Sequence, residues 1–304
     1  MKILHIIPGM GDSVCGIAVA ALAIAERQRN AGDTVSCVDA SRWTALQIKE
    51  AEEVWVHSMW MPSVLRACLY IVFRAPSVRL VRMPHGCLDP VKLSYHWYKK
   101  CWVRPLERFL FRRSGRIIST VESETEWIKS FAGTSVPVEL VSLDGSMPRP
   151  AIKKPKSWDK LLFVGRLHPL KGLEYLLRAI SPSHRLVVIG RDDGEGDRLR
   201  ALAAERRLNV DFRGVVSAAE KDLAFAEADV LVLPTLSENY GLVVAEALQH
   251  GIPVITTDGA PAWKDQDGVI YLEGYREGTD EQRVAMLEKV IRENHSSTYG
   301  LQLT

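Results

Sequence analysis

Cysteine is sparse in this chain: Cys15, Cys37, Cys68, Cys87 and Cys101 are all there is, and no two form a CxxC pair. An odd, scattered set argues against a disulfide framework and against a zinc site, and makes a reducing cytoplasm the expected setting. Long apolar runs are missing too. MKILHIIPGMG has one lysine and a brief apolar run before Pro8 and Gly9, too short for a signal sequence and far below a membrane span, so it reads as a first buried strand. Low-complexity tracts and short repeats are also lacking, which leaves an ordinary globular composition. At 304 residues the chain is long enough for two domains.

Net charge is close to zero, but its distribution is uneven: the first half is net basic and the second net acidic. Much of the positive excess lies in VKLSYHWYKKCWVRPLERFLFRRSGR, Val91 to Arg116. It holds eight cations, the single acid Glu107, and Tyr95, Trp97, Tyr98, Trp102, Phe109 and Phe111. Such a segment can lie on an anionic membrane surface, or its aromatics can be core beneath an ordinary solvated face. Nucleic-acid binding is not expected, because the other half of the chain is acidic and no nucleic-acid module is recognisable.

What is abundant is alternation. Short β-rich runs such as KILHII, EVWVHS and RLVRMPH alternate with helix-like segments, and RPAIKKPKSW at 149–158 interrupts them with proline and lysine. After it LLFVG, RLVVIG, VDFRG, DVLVLP and PVITTD alternate with helices, and Leu173, Leu176, Leu177 and Ile180 give one helix a buried stripe. The expected organisation is α/β: a doubly wound parallel-sheet domain over 1–150, a second over 151–285, and a tail over 286–304. Tandem domains of this kind are expected to face each other across a ligand-binding cleft.

Two βα turns of the second domain carry the candidate chemistry. In FVGRLHPLKGLEYLL, Arg166 and Lys171 flank a turn that enters a helix, an arrangement able to hold a phosphate or diphosphate, although a solvated surface pair reads equally well from this turn alone. In SENYGLVVAEAL, Glu238 falls in the turn and Glu246 about two turns into an apolar helix. A charged carboxylate on an apolar face needs donors, such as sugar or ribose hydroxyls or a neighbouring arginine. Asp265-Gln266-Asp267 spells D-x-D but follows the last strand expected from the pattern, and is read as solvated surface rather than a metal site.

GRLHPLKG, followed by the E-x7-E of Glu238 and Glu246 and by ALQHGIPVITTD, resembles the nucleotide-sugar domain of the retaining glycosyltransferases of family 4, which have the GT-B fold of two Rossmann-like domains. CGIAVAALAIAERQRNAGDTV and VRMPHGCLDP resemble that family's first turn and helix and its His-Gly loop, so the likeness runs over residues 1 to 265 or so. It implies a metal-independent retaining hexosyltransferase without a bound cofactor, of the bacterial surface-polysaccharide or lipopolysaccharide type. Such an enzyme passes sugar from a UDP- or GDP-linked donor to a glycan or lipid-linked acceptor, in the cytoplasm or peripherally on the inner face of the plasma membrane.

By the same resemblance Arg166 and Lys171 hold the donor diphosphate. Glu238, with Asn239, Tyr240, Gly241 and Leu242, holds the sugar and phosphate, and Glu246 holds the ribose. His85 is placed near the anomeric carbon, although a lone histidine is more often structural. Gly16 marks where backbone approaches the diphosphate or acceptor; a helix-start glycine needed for close packing is the other reading, and Cys15 replaces the family's usual first glycine. Two rival functions are a nucleotide-sugar epimerase of the same fold and a non-catalytic nucleotide-sugar-binding subunit of a polysaccharide assembly complex. The resemblance further implies a longer closing segment than Val269 to Thr304, where only one helix, near EQRVAMLEKVIREN, is readable.

Overall fold

The computed structural model describes residues 1–10, 15–95, 97–141, 150–153, 155 and 157–295. The chain divides into two compact units, Met1–Leu143 and Asp144–Thr304. Parts of the expected linker (149, 154 and 156) and of the expected tail (296–304) lie outside the described residues.

The first unit begins β1 (Lys2–Ile7), α1 (Gly16–Asn30), β2 (Thr34–Asp39), α2 (Ala45–Glu50), β3 (Glu53–His57) and α3 (Pro62–Arg74). It continues β4 (Arg79–Met83), α4 (Pro90–Ser94), α5 (Trp97–Arg112), β5 (Arg116–Ser119), α6 (Glu122–Ala132) and β6 (Val138–Leu140). Its six strands are parallel in the order β2-β1-β3-β4-β5-β6. β3 is buried along its whole length, as a strand covered by helices on both faces must be. The short helix α2, not expected from the pattern, is too brief for a periodic stripe and is started by a Thr44/Gln47 capping box.

The second unit runs β7 (Lys160–Val164), a 3-10 turn (Pro169–Lys171), α7 (Leu173–Ala179), β8 (Arg185–Ile189), α8 (Gly196–Glu205) and β9 (Asn209–Gly214). Then come α9 (Ala218–Glu227), β10 (Val230–Val232), α10 (Leu242–Gln249), β11 (Val254–Thr257), a 3-10 turn (Pro261–Trp263), β12 (Val269–Leu272) and α11 (Asp280–His295). Its parallel order is β12-β11-β10-β7-β8-β9. The stripe Leu173, Leu176, Leu177 and Ile180 is buried as its spacing requires.

Two expectations need correction. The D-x-D triplet does not trail the sheet: it is exposed in the turn before a further strand, β12, a four-residue edge strand whose first three residues are only half-buried. Position 285, expected to end the second domain, falls inside α11, which packs on α7 of the same unit.

The strand orders locate the crevices. In each unit the chain winds outward in both directions from a central pair, β1/β3 in the first and β7/β10 in the second. Loops leaving the C-terminal ends of such a pair diverge to opposite sides, and ligands bind in the gap they leave.

Candidate functional site

Both second-unit motifs leave the central pair: GRLHPLKG follows β7, and TLSEN follows β10. Backbone and side-chain bonds knit the two loops together. Leu236 N–H donates to Leu170 O at 2.8 Å, and Thr235 Oγ1 donates to the same carbonyl at 2.9 Å. Gly172 is left-handed (φ +69), and a Cβ there would clash with Pro234 O, so only glycine lets the loops approach this closely.

That approach brings Lys171 Nζ onto Glu238 Oε2 as an ion pair, both side chains largely buried at 14% and 19% exposure. Glu238 is fixed further by its backbone N–H donating to Gly259 O at 2.7 Å. Asn239 and Tyr240 are buried, and the Tyr240 carbonyl accepts from Trp263 Nε1. Gly241 (φ +78) caps α10, which begins at Leu242. The first N–H groups of that helix add the positive end of its dipole beside the pair.

Arg166 is differently placed. Its Nη1 bonds Asp193 Oδ2 at 2.6 Å, while Arg191 Nε bonds Asp193 Oδ1 at 2.9 Å. Burial raises the Asp193 carboxyl, but the two arginines outweigh it and hold the group below its ordinary value. His168 caps the 3-10 turn by accepting from Leu170 N–H, and burial and then Arg166 push its pKa down. Next to this cluster Leu167, Val188, Gly190, Arg191, Arg200 and Phe212 line a cavity of about 220 Å³.

Glu246 is half-buried and not sealed in the core: its Oε1 accepts from Lys221 Nζ of α9 at 2.8 Å, both side chains 29% exposed. The donor that the apolar run demanded is therefore a lysine from the preceding βα unit. Neither Lys221 nor Asp193 belongs to either motif, and no local spacing marks them.

In the first unit, an added Cβ at Gly16 would meet no atom within 4 Å among the described residues. Close packing against the described residues is therefore not what makes glycine suitable there. His85 is 6% exposed with φ +53, in a turn held by Glu124, which accepts from Gly86 N–H and from Thr120 N–H. Its Nε2 lies 2.8 Å from His57 Nδ1. Burial pushes the His85 pKa down to about 3, with Lys92 adding to the effect.

The basic stretch divides. Phe111 and Glu107 are fully buried, Glu107 paired with the equally buried Arg82 at 3.0 Å. Trp97, Tyr98 and Trp102 are exposed by 63%, 52% and 88%. The lone acid is thus withdrawn from the surface, leaving aromatics and cations on it.

The family model described as "Glycosyl transferases group 1" matches residues 148–266, which contain both second-unit motifs. An uncharacterized 41.2 kDa protein of the Klebsiella pneumoniae cps region is 29% identical over 71% of this chain and 62% of its own length. D-inositol 3-phosphate glycosyltransferase of Mycobacterium tuberculosis is 31% identical over 49% of this chain and 35% of its own. The matches thus span less than two thirds of these relatives.

Among solved structures, Anabaena HepE in complex with UDP and glucose superposes with a TM-score of 0.70 at 15% identity, over 96% of this chain and 90% of its own. WaaG, a glycosyltransferase involved in lipopolysaccharide biosynthesis, gives 0.65 at 15% identity over the same shares. The fold is GT-B. Its two Rossmann-like sheets are the two units above, and in GT-B terms Arg166, Lys171, Glu238 and Glu246 all belong to the second. Among the described residues no helix is long and apolar enough to cross a membrane.

Proposed function

We propose that this chain is a retaining glycosyltransferase of the family 4 type, moving a hexose from a nucleoside-diphosphate donor to a hydroxyl of a surface-glycan or lipid-linked acceptor. The observation that carries the reading is the meeting of Lys171 and Glu238 where β7 and β10 part. A cation beside a carboxylate and a helix start suits a ligand that is phosphate at one end and polyhydroxyl at the other. The family-model match and the UDP and glucose of the HepE complex support the donor class, and the cps-region relative supports the surface-glycan assignment.

In the proposed reaction the acceptor oxygen attacks the anomeric carbon on the face the leaving group departs from. The bond to the diphosphate breaks, and the hydroxyl proton passes to the departing phosphate oxygen. Lys171 and Arg166, with the α10 dipole, stabilise the charge that develops there, so no metal ion is required and transfer is expected to persist in EDTA. Glu238 takes sugar hydroxyls, while Glu246 and Lys221 take the ribose. The cavity lined by Gly190, Arg200 and Phe212 takes the base.

The test is a thermal-shift screen of the full chain with UDP, GDP, ADP, dTDP and CMP, followed by transfer assays with the matching sugars. Stabilisation by none of them together with no transfer would sink the proposal, whereas binding without turnover would favour the non-catalytic subunit. Glu246→Ala should weaken nucleotide binding roughly tenfold, as loss of a charge-assisted hydrogen bond does, with kcat little changed. Titration of nucleotide into both proteins checks it.

The exposed face of α5 is proposed to rest on anionic lipid, its tryptophans entering the interface and its arginines facing headgroups. Flotation with anionic vesicles should capture the chain and neutral vesicles should not. Replacing Trp97 and Trp102 with alanine should lower the bound fraction roughly tenfold, and equal flotation of the variant would remove this surface from consideration.

A further inference from the structure

Three histidines of the first unit form a line that the proposed chemistry does not use. His5 lies on β1 opposite Trp55 of β3; His57 stands two residues beyond Trp55 and opposite Met83 of β4; His85 stands two residues beyond Met83. Each step moves one strand across and two residues up, so all three rings stay on one face and climb toward the strand ends. His5 Nδ1 is 2.9 Å from His57 Nε2, and His57 Nδ1 is 2.8 Å from His85 Nε2. The ring centroids are 5.2 and 5.1 Å apart, the His5–His57 pair stacked and the His57–His85 pair tilted by 33°. At the lower end His5 Nε2 is 2.7 Å from Gln28 Oε1 of α1.

A neutral imidazole carries one N–H and one lone pair, so in a chain of rings each bond dictates the next. Gln28 Oε1 can only accept, which places the His5 proton on Nε2 and leaves Nδ1 to accept from His57 Nε2–H. His57 Nδ1 must then accept from His85 Nε2–H. The outcome is a lone pair at His85 Nδ1, the nitrogen that makes no hydrogen bond among the described residues. A donor in place of the Gln28 oxygen would reverse every member and turn His85 Nδ1 into an N–H.

We infer that Gln28, His5 and His57 are positioning residues: a directional hydrogen-bond relay that fixes His85 as the Nε2–H tautomer and presents its Nδ1 as an acceptor for a ligand hydroxyl. The substrate part rests on the glycosyltransferase reading, in which that hydroxyl belongs to a sugar. The relay itself does not. Burial keeps the rings neutral, His5 down to about 4 and His57 well below its ordinary value, so each acts as a dipole and not as a charge.

The test is the imidazole nitrogen spectrum of the full chain labelled with 15N-histidine, with signals assigned by His5→Gln, His57→Gln and His85→Gln. At pH 7 all three rings should appear as neutral Nε2–H tautomers, and Gln28→Glu, which keeps an acceptor, should leave them so. Gln28→Lys should exchange the protonated and unprotonated nitrogen shifts of His85, and Gln28→Met should leave His85 a mixture. If the lysine variant folds poorly, the methionine variant decides alone. A His85 tautomer that ignores both substitutions, or stands as Nδ1–H in the unaltered protein, overturns the relay. Shifts that respond while no sugar transfer is found for any donor would keep the relay and discard the glycosyltransferase reading. With transfer present, Gln28→Lys should lower kcat roughly tenfold, the scale of one reversed hydrogen bond, at unchanged nucleotide affinity.

Discussion

Lys171→Ala is expected to lower kcat for sugar transfer by roughly 10²- to 10³-fold, the range seen when a preorganised charge-stabilising group is removed from a reacting centre. The substitution does two things in one step. It takes away the cation proposed for the departing diphosphate, and it leaves the Glu238 carboxylate, without that lysine, facing the same anion. A second variant separates the two. Lys171→Met combined with Glu238→Gln removes the repulsion along with the cation. Glu238→Gln alone is the reference, because Glu238 is itself proposed to hold the sugar: if lysine only neutralises the glutamate, the double variant should match that single variant, and if it holds the diphosphate, the double variant should fall well below it. Steady-state rates at saturating donor make the comparison, and an unchanged kcat in Lys171→Ala would remove this residue from the chemistry.

The second large effect is on stability in acid. His5, His57 and His85 all have pKa values below the ordinary histidine value because burial penalises the charged ring. A group with a depressed folded-state pKa releases its proton on folding, so its stabilising contribution is present above about pH 6.5 and is lost as pH falls toward the folded values. Those are about 4 for His5 and about 3 for His85. Within that window each histidine removes about 1.4 kcal/mol per pH unit, and three together about 4 kcal/mol per pH unit. Glu124, raised by burial, opposes this with a single proton. Urea midpoints should therefore fall steeply between pH 6.5 and 4. Replacing His5 and His57 together should flatten the slope, and a midpoint independent of pH across that range would contradict neutral burial.

Much of the architecture was legible because parallel strands write themselves as short apolar runs, and helices such as α7 show their buried stripe. Elements that hide were the short ones: α2 is a single capped turn and a half, and β12 is a four-residue strand at the sheet edge. The second-unit turns were visible as motifs, since the bent geometry between strand and helix needs glycine and leaves charged residues on the loop. Their partners were not. Lys221 and Asp193 reach the motif residues from other βα units, and only the strand order brings them close. His5 and His57 looked like ordinary strand residues, because nothing in KILHII or EVWVHS reveals that the register staggers the histidines of adjacent strands by two residues per step. The even composition of Val91 to Arg116 likewise concealed that Glu107 turns inward while Trp102 turns out.

The pairing of β7 with β10 has a kinetic consequence. Lys171 and Glu238 are 67 positions apart in sequence, so no short fragment can assemble their contact. The loop between them must close first, an entropic cost that makes such pairings slow to form. On the proposed function a donor nucleotide binds only once that closure is complete, so it should slow escape from the native basin and leave early collapse untouched.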